Sequence, residues 1–327
     1  MVPTRVLLAS MSLFSIPFSQ AREPADERAA PDVPPIVVTV KHRSLHQLHA
    51  GLRSIADQGR KVAGTDDERE RQMALLRLRS YRFLCDVPQA KLTLDAELDA
   101  DAVAVADICK RLGKLSHEPE NPDLPEEEYE RARTAAGKCN LAQGPDRLTK
   151  AIDRWMDDSD ERNLATLGHR RWCLNPTMQK LGFGRVDDYC AMWALDNSGT
   201  AADYDVISFP PPGYVPIDFF GAKFAWSITL NPARYRAPEL EEVEVQLLPF
   251  KQGSADQANP IEIENLAVDT KGFGVSNCII FQPKEIPVGA GKSYLLEIRG
   301  LQTRDGQPAS ITFPVHFVAP LVAATNK

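Results

Sequence analysis

Apolar residues recur at helical spacing in the first half of the chain and at alternate positions in the second. A weakly helical stretch runs through Leu45, Leu48, Leu52 and Ile55. The first strong period lies at residues 66–84, where Met73, Leu76, Ser80, Tyr81 and Leu84 share one helical face. Over residues 95–112, Asp95 stands at the N-cap position, and Leu98, Ala102, Val105, Cys109 and Leu112 form a stripe that such a helix would bury. Leu148, Ile152, Trp155 and Ser159 mark a further helix over 147–159. A shorter piece at 126–136 carries acids in its first turn and arginines in its last, the arrangement a helix dipole favours. Strand-like runs such as YCAMWAL at 189–195 interrupt the helices, so this half reads as mixed α and β.

Helical period ends at the turn-rich FPPPGYVP of residues 209–216. The runs AWSITL, EVEVQLLP, NCIIFQP, YLLEIRGL and ITFPVHFV follow, separated by polar turns. In the second of them Val243, Val245 and Leu247 alternate with Glu242, Glu244 and Gln246, the period of a strand with one wet face. Short strands at this spacing predict an immunoglobulin-like β-sandwich. The fold class expected is therefore α+β, with a polar tether and short helix at 22–65, a mixed domain at 66–205 and an all-β domain at 216–320, the boundary falling between 205 and 222. The LGFG of residues 181–184 reads as a turn.

Composition narrows the partners. Thirty-eight Lys and Arg against 45 Asp and Glu give the 327 residues a net charge of −7, with no long basic block, which excludes nucleic acid bound by phosphate neutralisation. The opening MVPTRVLLASMSLFSIPFSQA has one basic residue, Arg5, an apolar run from Val6 to Phe18, and small residues Ser19 and Ala21 where a peptidase would cut. Residues 1–21 thus read as a secretory signal peptide, and the mature chain as secreted or periplasmic. No later stretch has the ~20 continuous apolar residues of a membrane span. Outside the cytoplasm the six cysteines, at 85, 109, 139, 173, 190 and 278, predict disulfides rather than a zinc site.

Six histidines limit the chemistry. His42, His46 and His49 have a spacing that would put imidazoles on one helical face, but no cysteine or carboxylate joins them, and a solvated face is expected. His316 lies in a strand and reads as structural. His117 in KLSHEPENP and His169 in LGHRRWCLNP each sit at an element end, and Asp157, Asp158, Asp160 and Glu161 lie between them. Two histidines and a pair of carboxylates can hold a divalent metal or perform acid–base work. Asp160 and Glu161 fit caps of the following turn. There is no nucleophile elbow, phosphate loop or dinucleotide fingerprint.

The ordered blocks LRLRSYRFLCDVPQAKLTLDAELDADAVAVADICKRLGKLSHEP, AAGKCNLAQG, AIDRWMDDSDERNLATLGHRRWCLNP and LGFG resemble the CAP superfamily of cysteine-rich secretory, antigen 5 and pathogenesis-related (SCP-like) proteins, in a bacterial form, over roughly residues 68–198. The resemblance implies an α-β-α sandwich and a cleft of two histidines and two acidic residues, which in some members binds a divalent metal such as zinc. His117 matches the first histidine, His169 the second, and Asp157 or Asp158 the later acid. Gly137, Lys138, Cys139 and Asn140 stand where members carry Gly-Glu-Asn, so the other acid is missing. The function implied is a secreted binding or interaction module for an extracellular lipid or protein. The alternative is a hydrolase using His117 or His169 as general base, oriented by Asp157 or Asp158. Cys109 and Cys139 flank the His117 segment, and a bridge closing that loop of about 30 residues would restrain it by ~3 to 4 kcal/mol.

Overall fold

The computed structural model describes residues 34–200, 203–251 and 253–320; the expected signal peptide lies outside the described residues. The elements run β1 (Ile36–Thr39), α1 (Leu45–Gly59), α2 (Asp66–Leu84), β2 (Thr93–Leu94), α3 (Ala96–Leu112), α4 (Glu126–Ala136), β3 (Cys139–Gln143), α5 (Leu148–Asp157), α6 (Gly168–Cys173), β4 (Lys180–Val186) and β5 (Tyr189–Trp193). Strands β6 (Val206–Phe209), β7 (Gly213–Pro216), β8 (Trp226–Leu230), β9 (Glu244–Lys251), β10 (Ser254–Ala255), β11 (Ile263–Asp269), β12 (Cys278–Pro283), β13 (Ser293–Gln302) and β14 (Pro308–Val318) follow.

The first region is a four-stranded sheet in the order β2-β4-β5-β3 with helices on both faces. Alternate side chains of the strands go opposite ways, as pleating requires. Leu141, Tyr189 and Ala191 join α3 and α4 in one apolar cluster, while Ala142, Phe183, Cys190 and Met192 join α2 and α5 in another. Asp95 caps α3 as the sequence predicts, accepting from the amides of Glu97 and Leu98. The LGFG expected as a turn is instead the middle of β4. Its glycines let α3 lie directly on the strand: a Cβ at Gly182 would stand 2.0 Å from the Leu98 carbonyl carbon, and one at Gly184 2.2 Å from that of Ala102. The helix at 66–84 forms as expected, but its buried face is rotated, with Met73 exposed and Arg82 fully buried. Arg82 reaches the carbonyls of Pro88, Cys173 and Asn175 at 2.6–2.9 Å, and burial draws its pKa down to about 10.

In the second region β1-β14-β13-β9-β10 form one sheet, with β7 also on β14, and β11-β12-β8-β6 another. Trp226 and Phe281 of the smaller sheet and Leu296, Phe313 and Phe317 of the larger enter one buried cluster. That cluster continues into the first region through Leu52, Tyr81 and Trp155, with Tyr81 edge-on to Phe219 at 5.0 Å between centroids. The stretch expected as a tether ends in a strand, since β1 pairs in parallel with Ala309–Thr312 of β14.

No disulfide is present: all six cysteines are buried free thiols, Cys109 and Cys139 included. Cys109 on α3 and Cys139 on β3 pack among alanines, leucines and valines as small apolar side chains, and burial raises both thiol pKa values. Among the described residues no helix is long and apolar enough to cross a membrane.

Candidate functional site

Helix α5 ends where Asp158 turns into the left-handed region, φ 48°. This turn carries the carboxylate inward, and its side chain is only 1% exposed. One oxygen lies 2.7 Å from His169 Nδ1, and the other accepts the Arg170 amide at 3.2 Å. A buried carboxylate with both oxygens engaged fixes the ring it holds and leaves Nε2 as the uncommitted nitrogen. His169 is about one-fifth exposed. Its carbonyl accepts Asn140 Nδ2 at 3.0 Å, so β3 holds the backbone under the ring.

Arg170, wholly buried, ties this turn down. Its guanidinium donates to the Met156 carbonyl at 2.7 Å, to that of Ala225 at 2.8 Å, to Ser227 Oγ at 3.1 Å and to the Asp157 carbonyl. Asp157 does not meet His169 in a hydrogen bond; its carbonyl accepts from Ser159 Oγ. Burial pushes the Asp157 carboxyl pKa up against the opposing pull of Ser159 and Arg170, and its Oδ1 is buried without a partner. Beside the pair a hollow of about 360 Å³ is lined by Asp157, Asp158, Asp160 and Phe224, among others. Asp160 caps its own turn, accepting from the Arg162 amide and Asn163 Nδ2.

His117 stands apart in chemistry. It is exposed in the loop after α3, and its Nδ1 lies 2.9 Å from the Ala136 carbonyl at the end of α4. Lys138 lies over the Trp193 ring, Nζ 4.9 Å from its centroid, and Cys139 is in the core. Among the described residues no three His, Cys, Asp or Glu side chains come together as metal ligands. The Nδ1 contacts of His117 and His169 leave each Nε2 free, but with the Asp158 carboxylate spent on His169 and Arg170 the candidate donors among the described residues stop short of the three protein ligands that zinc takes. Histidines 42, 46 and 49 do not form a cluster either: His49 lies 3.4 Å from Arg53 Nη2, while His42 lines a separate hollow of about 550 Å³ beside Tyr204 and Tyr214. His316 is structural in its contacts, bonded to Ser293 Oγ at 2.9 Å.

Sequence reasoning missed Asn140 and Arg170. Asn140 was legible only as the residue left from Gly-Glu-Asn, and an arginine beside a histidine gives no sign that it will be buried.

Residues 82–193 match the family model described as CAP, cysteine-rich secretory protein family. Among curated proteins none matches the chain. Among solved structures, an extracellular protein containing a SCP domain from Bacillus anthracis str. Ames is similar at 20% identity, with a TM-score of 0.30, over 40% of this chain and 43% of that one. The chain thus spans less than half the length of that protein. The family match falls on the sheet with helices on both faces and on the segment carrying both His117 and His169, so residues 82–193, about a third of the chain, are similar to a CAP domain.

Proposed function

We propose that this chain is a secreted binding module that presents His169 to an extracellular lipid or protein ligand. The observation that carries the reading is the 2.7 Å contact from the buried Asp158 carboxylate to His169 Nδ1, which orients the ring and leaves Nε2 for a ligand. Among the described residues no serine, threonine or cysteine is hydrogen-bonded to the ring, so a nucleophile for covalent chemistry is not at hand. The C-terminal strands, read as an immunoglobulin-like sandwich, serve as scaffold for this surface. The test is cosedimentation with phosphatidylglycerol vesicles and crosslinking to purified extracellular proteins, wild type beside His169→Ala. Binding that the substitution removes supports the reading; binding equal in both proteins rejects His169 as the recognition residue.

A second reading rests on the same contact, because an Asp-oriented imidazole is also how a general base is prepared. A hydrolase would lose turnover of a casein or ester probe in both His169→Ala and Asp158→Asn. Retained turnover in both sinks it.

A further inference from the structure

We propose that the C-terminal β region is part of the His169 site, with Arg170 and Arg171 as positioning residues that set the Asp158–His169 geometry from that region; the inference rests on the reading of this pair as the working one. The three residues are consecutive on α6, a helix of six residues that cannot hold its own shape by length. Besides the nearer bonds to Asn140, Met156, Asp157 and Asp158, what holds it is a set of contacts more than fifty residues away in sequence. Ala225, at the approach to β8, is engaged through both backbone groups: its carbonyl accepts Arg170 Nη1 at 2.8 Å, and its amide donates to Ser159 Oγ at 2.8 Å. Ser227 adds its hydroxyl to the same guanidinium at 3.1 Å. One residue on, Arg171 pairs with buried Asp269 of β11 at 3.2 Å and donates to the carbonyls of Lys271 and Val275.

Phe273 closes the arrangement. It lies against Gly168, where a Cβ would stand 3.0 Å from its Cδ1, and under the Arg171 guanidinium, 5.0 Å from the ring centroid. The residue before His169 and the two after it are therefore gripped by the β region, while His169 itself faces Asp158. Since the Arg170 amide also holds Asp158 Oδ2, displacing the guanidinium displaces both partners of the pair.

The test uses the full chain and needs no ligand. A slowly exchanging imidazole N–H resonance, assigned to His169 by its loss in His169→Ala, reports the bond to Asp158. We expect Phe273→Ala and Ser227→Ala to broaden or abolish it, and to raise the rate of His169 carbethoxylation by diethyl pyrocarbonate severalfold, while amide signals of β3, β4 and β5 stay in place. Arg170→Met gives the larger loss if it folds; the two milder variants decide the matter if it does not. An unchanged resonance and unchanged rate in both milder variants overturn the proposal. Loss of the resonance in a chain that binds neither vesicles nor proteins keeps the positioning and removes the function; ligand binding with an unmoved resonance does the reverse.

Discussion

Two contacts of this molecule are made in opposite ways. Helix α3 meets β4 through missing side chains, Gly182 and Gly184, so that backbone lies on backbone. The junction between the helical layers and the C-terminal strands is pinned by two of the longest side chains, Arg170 and Arg171, both fully buried. The glycine contact tolerates no added atom. In the arginine junction each fork satisfies carbonyls that loop and helix ends leave open, as buried polar groups demand. A contact of the first kind is rigid by exclusion, whereas one of the second kind holds only while every partner is present.

The largest test of the comparison is to cut the chain between residues 215 and 216. The cut falls in the last step of β7, and three strands of the N-terminal piece have their partners in the other: β1 and the first three residues of β7 on β14, and β6 on β8. Neither piece is expected to give a cooperative urea transition, because each leaves open strand edges and half of a shared apolar cluster. Two independent transitions would show that the junction is dispensable. Next in size is Arg171→Met, which strands the Asp269 carboxylate, only 8% exposed, without its cation. A loss of about 3–5 kcal/mol is expected by urea denaturation, with part of it recovered in Arg171→Met/Asp269→Leu. No recovery would mean that the carbonyl contacts, not the charge, carry the junction.

Gly182→Ala probes the other side. With no room for a Cβ against the Leu98 backbone, α3 must move, and a loss of about 3 kcal/mol is expected. The same pair of regions marks how far the sequence could be read. The helices at 66–84 and 95–112 were legible because burial of one face leaves a period, and the β region because alternation survives in β13 and its neighbours. The glycines of β4 suggest a turn in the sequence, since glycine marks both turns and close approach, and only the partner helix tells which. Arg82 rotated the buried face of α2 unseen, because an arginine reads as a surface residue until its carbonyls are known. Of the site, the family blocks gave His117 and His169, and the order of Asp157 and Asp158 stayed open. The left-handed turn at Asp158 decides it: aspartate enters that region more readily than most residues, but of two adjacent aspartates the sequence does not say which one turns.

The arginine junction and the exposed loop also predict different weights for the two histidine anchors. Asp158→Asn puts an amide donor against either His169 Nδ1 or the Arg170 amide, and a loss of about 1–3 kcal/mol is expected. His117→Ala leaves the Ala136 carbonyl to water and should stay within about 0.5 kcal/mol. Equal losses would mean that the Ala136 carbonyl holds its histidine as firmly as Asp158 holds His169. In the same spirit, calorimetric titration of zinc should give no heat that depends on His117 and His169, as judged against the double alanine variant; a histidine-dependent heat would overturn the donor-set argument.

The smallest effect expected is a gain. Burial raises the Asp157 carboxyl above its ordinary value of 3.8, so the folded chain holds that proton more tightly than the unfolded one. Its contribution therefore favours folding below that ordinary value and is lost as pH rises through the raised one, leaving a buried charge with one unpartnered oxygen at neutral pH. Asp157→Asn removes the charge at every pH. It should stabilise the chain at pH 7 by less than about 1 kcal/mol, the partial exposure of the site screening the rest, and the gain should shrink as pH falls toward 4. Arg170 pulls the other way, since its guanidinium favours the ionised form. If the substitution destabilises at pH 7, that attraction outweighs desolvation, and the junction stands on charge as well as on its carbonyls.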